Sequence, residues 1–271
     1  MIRQTLTTKH FSKISYSRSG AGSPLMLLHG FPLDGNIWSE IVENLSQNFT
    51  VLVPDLPGIG GSILDDKNTS IAELAEIVPA ILEKEGLENC VLAGHSMGGY
   101  ISLAVAALFP EKLKGLALLH STANADTEVK KEARQKAIEL IEKGGREAFI
   151  RVAISDLYTE DFRQENQHVI EAQTERSLAV PADTLVSFYK AMIARPDRKN
   201  VLQESVMPVL FVYGKEDSVI PYEPCLQQTL LPNVSFVKLY ERCGHMSMKE
   251  LPELLQADLR TFVGYCYRSQ F

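Results

Sequence analysis

Six short, nearly uninterrupted apolar runs punctuate the chain, at residues 24–28, 50–53, 90–93, 115–119, 209–212 and 234–237. A strand with one wet face alternates apolar and polar residues, whereas a strand covered on both faces has no need to. The runs therefore predict a mainly parallel sheet buried between helices, and helical patterns follow them along the chain. One such helix is predicted over 71–84. Ser70 is its N-cap and Glu73, three residues on, completes a capping box, while Pro79 predicts a kink.

The rhythm changes between about residues 122 and 200. This stretch is charged and helical, its longest amphipathic run covers 127–143, and Gly144-Gly145 is the expected stop. No strand signal returns before Val209. The pattern divides the chain into a first part of an α/β core (1–121), a helical cap (122–200) and a second part of the core (201–271). The cap is expected to lie over the carboxyl ends of the strands, where open α/β sheets place their sites.

Apolar residues at 45% and charged residues at 23% describe an ordinary globular chain of 271 residues, large enough for a sizeable core. The formal net charge of −7 argues against a general affinity for nucleic acid or anionic membrane. Lys130 and Lys131 fall in a mixed-charge stretch and read as a solvated face. The four cysteines show no Cys-x-x-Cys spacing, so no metal site is expected. Cys90 opens an apolar strand and reads as a buried thiol; Cys243, two residues before His245, is a structural thiol near the site. No run reaches membrane-spanning length and no signal peptide is legible, which makes a cytoplasmic setting the expectation.

Chemistry enters at Gly94-His95-Ser96-Met97-Gly98. Gly-x-Ser-x-Gly between an apolar strand and an apolar helix is the context of a nucleophile elbow, a sharp turn that presents a serine hydroxyl. A hydroxyl is a weak nucleophile and needs a base beside it. Of six histidines, His245 is the one in a late, glycine-flexed loop after a strand. His10 and His168 read as surface residues, His120 as a satisfied strand-end histidine, and the side chain of His95 should point away from Ser96. Asp217, just after the run at 209–212, is the acid candidate. It completes the order Ser, Asp, His expected of such a site, with Glu216 and Asp126 as weaker rivals. The oxyanion donors should be the backbone N–H groups of Met97 and Phe31, since Pro32 has none.

His29-Gly30-Phe31, the Gly94–Gly99 elbow, Gly214-Lys215-Glu216-Asp217 and Gly244-His245 together resemble the α/β-hydrolase superfamily, across nearly the whole chain. The resemblance implies a mainly parallel eight-stranded sheet flanked by helices, a helical cap, no cofactor and a triad of Ser96, Asp217 and His245. The loop over 54–62 is similar to a further family loop, with Ile59 where relatives often carry histidine. Its glycines do not make a dinucleotide fingerprint, because residue 63 is isoleucine. Phe31-Pro32-Leu33-Asp34, Trp38, the stretch 123–127 and Ala194-Arg195-Pro196-Asp197 resemble the branch that includes 3-oxoadipate enol-lactonase-like esterases.

The expected activity is hydrolysis of small to medium carboxylic esters or lactones through an acyl-enzyme on Ser96. A carbon–carbon bond hydrolase or a cofactor-free haloperoxidase or perhydrolase would use the same triad, and a ligand receptor with slow or no turnover is the reading from another class. Leu157, Tyr158, Phe188 and Met192 are the cap residues expected to line the pocket. Arg151, Arg176 and Arg195 are candidates to read a substrate carboxylate. The expected partner is the small-molecule substrate, and the sequence leaves the oligomeric state open.

Overall fold

A computed structural model describes residues 2–268. Its eight strands are β1 (Ile2–Leu6), β2 (Ile14–Ser19), β3 (Ser23–Leu28), β4 (Phe49–Pro54), β5 (Cys90–His95), β6 (Leu113–Leu119), β7 (Val209–Gly214) and β8 (Ser235–Tyr240). They form one sheet in the order β1-β2-β4-β3-β5-β6-β7-β8. From β4 to β8 the pairs are parallel, while β1 and β2 join antiparallel at one edge. All six apolar runs are strands. β4, β5 and β7 are buried at every position, as continuous apolar strands between two helical layers must be.

Strands β1 and β2 carry no such run. β1 reads Ile-Arg-Gln-Thr-Leu, and no residue of it is fully buried because it is the outermost strand. β8, at the opposite edge, alternates between exposed and half-buried positions up to Tyr240 for the same reason.

The order of the strands positions the site. The chain passes from β3 outward to β4, then returns to the other side of β3 as β5. The carboxyl ends of β3 and β5 are therefore neighbours, with Leu28 opposite Gly94, at the switch point where an open α/β sheet forms a crevice. The loop 29–32 leaves β3 there, and Ser96 follows β5.

The helix expected over 71–84 is interrupted at the single residue Glu76, three positions before Pro79, where the kink was expected. Helices Ile71–Ala75 and Ile77–Lys84 meet at Glu76, because a proline ring clashes with the carbonyl four residues earlier, here Ala75. The capping box is present: Ser70 Oγ accepts from Glu73 N, and Ser70 N donates to Glu73 Oε2 at 2.7 Å.

Between β6 and β7 the chain is helical. Helix Glu128–Leu140 runs into a π-helical turn at Ile141–Gly145 and on into Arg146–Ser155. Gly144, at φ +91° and ψ 3°, is non-helical and separates the two helices, so the glycine pair is the expected stop. Helices Glu160–Glu165, Gln167–Leu178, Ala182–Ala194 and Lys199–Gln203 complete the insertion. Among the described residues no helix is long and apolar enough to cross a membrane.

Candidate active site

Ser96 stands between β5 and the helix Met97–Leu108 with φ 53° and ψ −116°. A non-glycine residue at positive φ is strained by about 1–3 kcal/mol, and such strain persists only where the surroundings enforce it. The surroundings do so through glycines. A Cβ on Gly94 would lie 2.3 Å from the Gly98 carbonyl oxygen, and one on Gly98 would lie 2.6 Å from that of Leu28. Neither position tolerates a side chain, which is the physical reason for the spacing around Ser96.

The loop after β3 passes directly against the serine. A Cβ on Gly30 would sit 2.9 Å from Ser96 Cβ and 2.7 Å from His95 Nδ1. Buried His29 anchors this loop: Leu56 N donates to its Nε2 at 2.9 Å, so its Nδ1–H donates to the Gly30 carbonyl, also at 2.9 Å. Burial lowers the pKa of His29, consistent with a neutral ring that donates on one side and accepts on the other. Phe31, the next residue, therefore lies beside the elbow. The N–H of Met97 opens its helix, where the first amides have no partner within the helix.

Asp217 lies in the loop after β7 and is fully buried at the side chain. Its Oδ2 accepts from His245 Nδ1–H at 2.7 Å and from His120 Nδ1–H at 3.1 Å; its Oδ1 accepts from the amides of Val219 and Ile220, both at 2.9 Å. A carboxylate can only accept, which fixes the proton on Nδ1 of both rings. Burial alone would raise the Asp217 pKa, but His245, His120 and the hydrogen bonds hold it far below the usual carboxylate range. Glu216 points outward to solvent, and Asp126 is occupied elsewhere, by Arg134 at 2.7 Å and Arg195 at 2.9 Å. Neither rival acid meets His245.

His120 is more than a strand-end histidine. It ends β6 at φ 50°, and its Nε2 accepts from Ser247 Oγ–H at 2.8 Å, so it ties the Asp217 carboxylate to the segment just after His245. Burial lowers its pKa, leaving a neutral ring. His95 reaches the same loop from the elbow: its Nε2–H donates to the His245 carbonyl at 2.8 Å. Glu250 closes the arrangement, with Oε2 accepting from Gly244 N and Met246 N and Oε1 from Thr159 N in the insertion. Sequence spacing does not reveal these three residues. Glu250 acts locally, on amides four and six positions before it, whereas the sheet order is what brings His95 and His120 to a loop about 150 positions from Ser96.

His120, Asp217 and His245 are also a chemically possible metal-ligand set, with donor atoms within 4.8 Å of one another. The hydrogen bonds between them account for that grouping. Buried Cys243 sits at 3.8 Å from Glu250 Oε2, and burial and the carboxylate push its thiol pKa up, which makes it a structural thiol.

Ser96 and His245 both line one cavity of about 460 Å³, as do Phe31, Tyr100 and Tyr189. The helical insertion supplies much of the wall, including Phe149, Leu157 and Met192. Two of the four expected cap residues thus line the cavity. Phe188 does not: it is fully buried one position from Tyr189, and 100° of helical rotation turns it into the packing beneath. Tyr158 also lies outside the lining, stacked on Phe162 at 5.3 Å between ring centroids. In their place stand Phe149 and Tyr189, which with Phe31 form an aromatic wall; Phe31 and Tyr189 are 4.5 Å apart.

None of the three expected arginines faces the cavity. Arg151 pairs with Glu147 on an exposed helix surface, and Arg176 bonds Asp34 at 2.6 Å outside it. Arg195 is buried against Asp126 and stacks 3.8 Å over the Tyr100 ring. The lining arginine is Arg134. Lys130 departs from expectation as well: it turns inward and donates to the Val219 carbonyl at 3.0 Å.

A strand-elbow-helix at a switch point, a buried Asp–His pair and a lined cavity beside the serine define a hydrolase-type fold and site. The model of a family described as the alpha/beta hydrolase fold matches residues 23–252, and the chain belongs to that family. Among solved structures, a thermophilic esterase from Thermogutta terrifontis with malate bound is similar over 98% of this chain and 99% of its own, at 28% identity and a TM-score of 0.91. A pimeloyl-(acyl-carrier protein) methyl ester esterase of Aeromonas hydrophila is 28% identical over 93% of this chain and 99% of its own length. A 2-hydroxy-6-oxononadienedioate/2-hydroxy-6-oxononatrienedioate hydrolase of Paraburkholderia phymatum is 26% identical, covering 93% and 91%.

The buried Asp217 carboxylate carries a pH consequence. Its native pKa lies below its unfolded value of about 3.9, so its stabilising contribution is complete above pH ~4 and is lost as pH falls towards the native value. Urea unfolding of wild type and Asp217→Asn should therefore differ most at neutral pH and converge below pH 4. A stability gap that stays constant from pH 7 to pH 3 would contradict this.

Proposed function

We propose that this protein is a serine hydrolase of carboxylic esters or lactones, with Ser96 as nucleophile, His245 as base and Asp217 as the acid that orients it. The observation that carries the reading is the Asp217–His245 hydrogen bond at 2.7 Å in a loop whose histidine shares one cavity with the strained Ser96. With Nδ1–H given to Asp217, the free Nε2 of His245 is the tautomer able to take the serine proton. Ser96 Oγ attacks the carbonyl carbon as that proton passes to His245. The Met97 and Phe31 amides stabilise the oxyanion, and Asp217 stabilises the imidazolium. His245 then protonates the leaving oxygen, and a water deprotonated by the same ring releases the acyl group. No step calls for a metal or cofactor.

The aromatic and aliphatic wall suits a small to medium organic substrate, and the helical insertion acts as the lid that selects it. Similarity to two esterases favours carboxylic-ester chemistry, and the four buried free thiols suit a reducing compartment. The test is a panel of p-nitrophenyl esters, lactones and 1,5-diketone acids with the purified protein. Turnover of esters or lactones, together with a fluorophosphonate adduct mapped to Ser96 by mass spectrometry, is expected. Turnover of the diketone acids alone would move the assignment to carbon–carbon cleavage; an adduct that forms without turnover would move it to a receptor.

A further inference from the structure

The lining of the cavity holds one cation, Arg134, and two further cations, Lys130 and Arg195, stand close to it. Its Nε donates to Asp126 Oδ2 at 2.7 Å, while Nη1 and Nη2 make no hydrogen bond to any described residue. Asp126 is shared with Arg195, so one carboxylate faces two guanidinium groups. Lys130, one turn before Arg134, also lies inward on Val219, itself a lining residue. Burial, and then the Arg134 charge, lower the Lys130 pKa, against the opposing effect of Asp126 and Asp217. Asp156, the other acidic group at the cavity, is exposed and leans towards Arg163 at 3.9 Å. The Arg134 side chain is only 13% exposed, so a charge is being held in a half-dry wall beside apolar and aromatic groups. Asp126 and the neighbouring tyrosines hold this guanidinium charged against the cost of its burial, and the Nη fork that Asp126 leaves unused is open to a second, charge-assisted pairing with an anion.

The position is specific. The Arg134 guanidinium lies 5.3 Å from the Tyr189 ring centroid, and Tyr189 packs at 4.5 Å on Phe31, the candidate oxyanion residue. The fork thus lies two side-chain contacts from Phe31, along the cavity wall.

We infer that Arg134 is a specificity residue that binds a carboxylate on the substrate, and that the preferred substrates are esters or lactones carrying a carboxylate away from the scissile bond. This rests on the hydrolase reading above and names its substrate class. The free Nη1 and Nη2 atoms form a bidentate pair with the carboxylate oxygens, while Nε stays on Asp126 and fixes the plane of the fork.

Two matched pairs of esters test it from either side of the bond. On the acyl side, mono-p-nitrophenyl glutarate is compared with p-nitrophenyl pentanoate; on the leaving side, 4-acetoxybenzoate is compared with 4-acetoxybenzamide. In at least one pair the wild type should favour the anion in kcat/KM. Arg134→Gln should reduce that preference by about 10- to 100-fold, the range of a charge-assisted hydrogen-bonded pair. Arg134→Lys, which keeps the charge without the fork, should fall between the two. Because the readout is a ratio within one preparation, a general loss of activity cancels. A ratio that Arg134→Gln leaves unchanged in both pairs overturns the inference. If the wild type cleaves none of the four esters, the hydrolase reading fails instead, provided that no ester or lactone of the panel above is cleaved either. The anion site is then tested by calorimetric titration of glutarate, and binding that is absent, or equal in wild type and Arg134→Gln, overturns it.

Discussion

Replacing Ser96 with alanine is expected to lower hydrolysis of p-nitrophenyl butyrate by about 10⁴- to 10⁶-fold, while the protein stays folded. The substitution removes one oxygen and nothing else that the elbow requires. Alanine at φ 53° carries the same backbone strain as serine, and the glycine contacts around the turn are unaltered. The His245–Asp217 pair also survives, since it forms without the serine. What vanishes is the covalent route, so only weak catalysis by the remaining donors is left. Initial rates and a thermal unfolding midpoint, measured on the same preparation, separate loss of chemistry from loss of fold. Residual turnover above a hundredth of wild type, in material free of other esterases, would refute the assignment of the nucleophile.

Asp217→Asn should reduce kcat by about 10³- to 10⁴-fold, the second largest effect expected. The carboxylate oxygen that now receives two histidine Nδ1–H groups would become, in one amide orientation, an N–H₂ facing two donors. The other orientation keeps the oxygen towards the histidines but turns an N–H₂ on the Val219 and Ile220 amides. Either way a buried clash of donors results. His245 escapes it most simply by moving its proton to Nε2, the nitrogen that must be free to accept from Ser96. His120→Gln tests the positioning part of the network separately. It removes one of four hydrogen bonds to the carboxylate, so a loss of about 10-fold is expected. The loss should appear in kcat with KM nearly unchanged, because His120 is absent from the cavity lining. A change in KM alone would show that His120 acts on the cavity shape instead.

The elements that were legible from residue order share one property: their signals are local. The six apolar runs became β3 to β8 because burial on both faces writes itself into consecutive residues. The elbow was readable because a tight turn needs small residues at fixed offsets, and Gly94 and Gly98 meet backbone oxygens at the distances that demand them. Strands β1 and β2 escaped the apolar-run criterion because a sheet edge is partly solvated and its residues are correspondingly mixed. Pro79 announced the interruption at Glu76 because a proline ring has no N–H to give and crowds the preceding turn.

The cavity wall was the least legible part. Leu157 and Met192 face inward as expected, yet Phe188 is turned into packing by one step of helical rotation from Tyr189, and Tyr158, in the turn after a helix, stacks on Phe162 instead. The arginines show the same limit. Glu147 keeps Arg151 and Asp34 keeps Arg176 outside the cavity, while Arg134 and Arg195 reach one carboxylate, Asp126, from two elements, and only Arg134 reaches the lining. An amphipathic pattern says that a helix has an inner face, but not whether that face meets core or cavity.

The sequence by itself determined the sheet's buried strands, the serine at its elbow and the order of acid and base after it, because turn sterics and two-faced burial act between near neighbours. Tertiary structure alone decided that His120 and His95 secure the loop of His245, and that Arg134 is the cation in the cavity. Those assignments depend on which distant elements share one end of the sheet, and that is fixed by the order β4-β3-β5-β6-β7 rather than by any residue's neighbours in the chain.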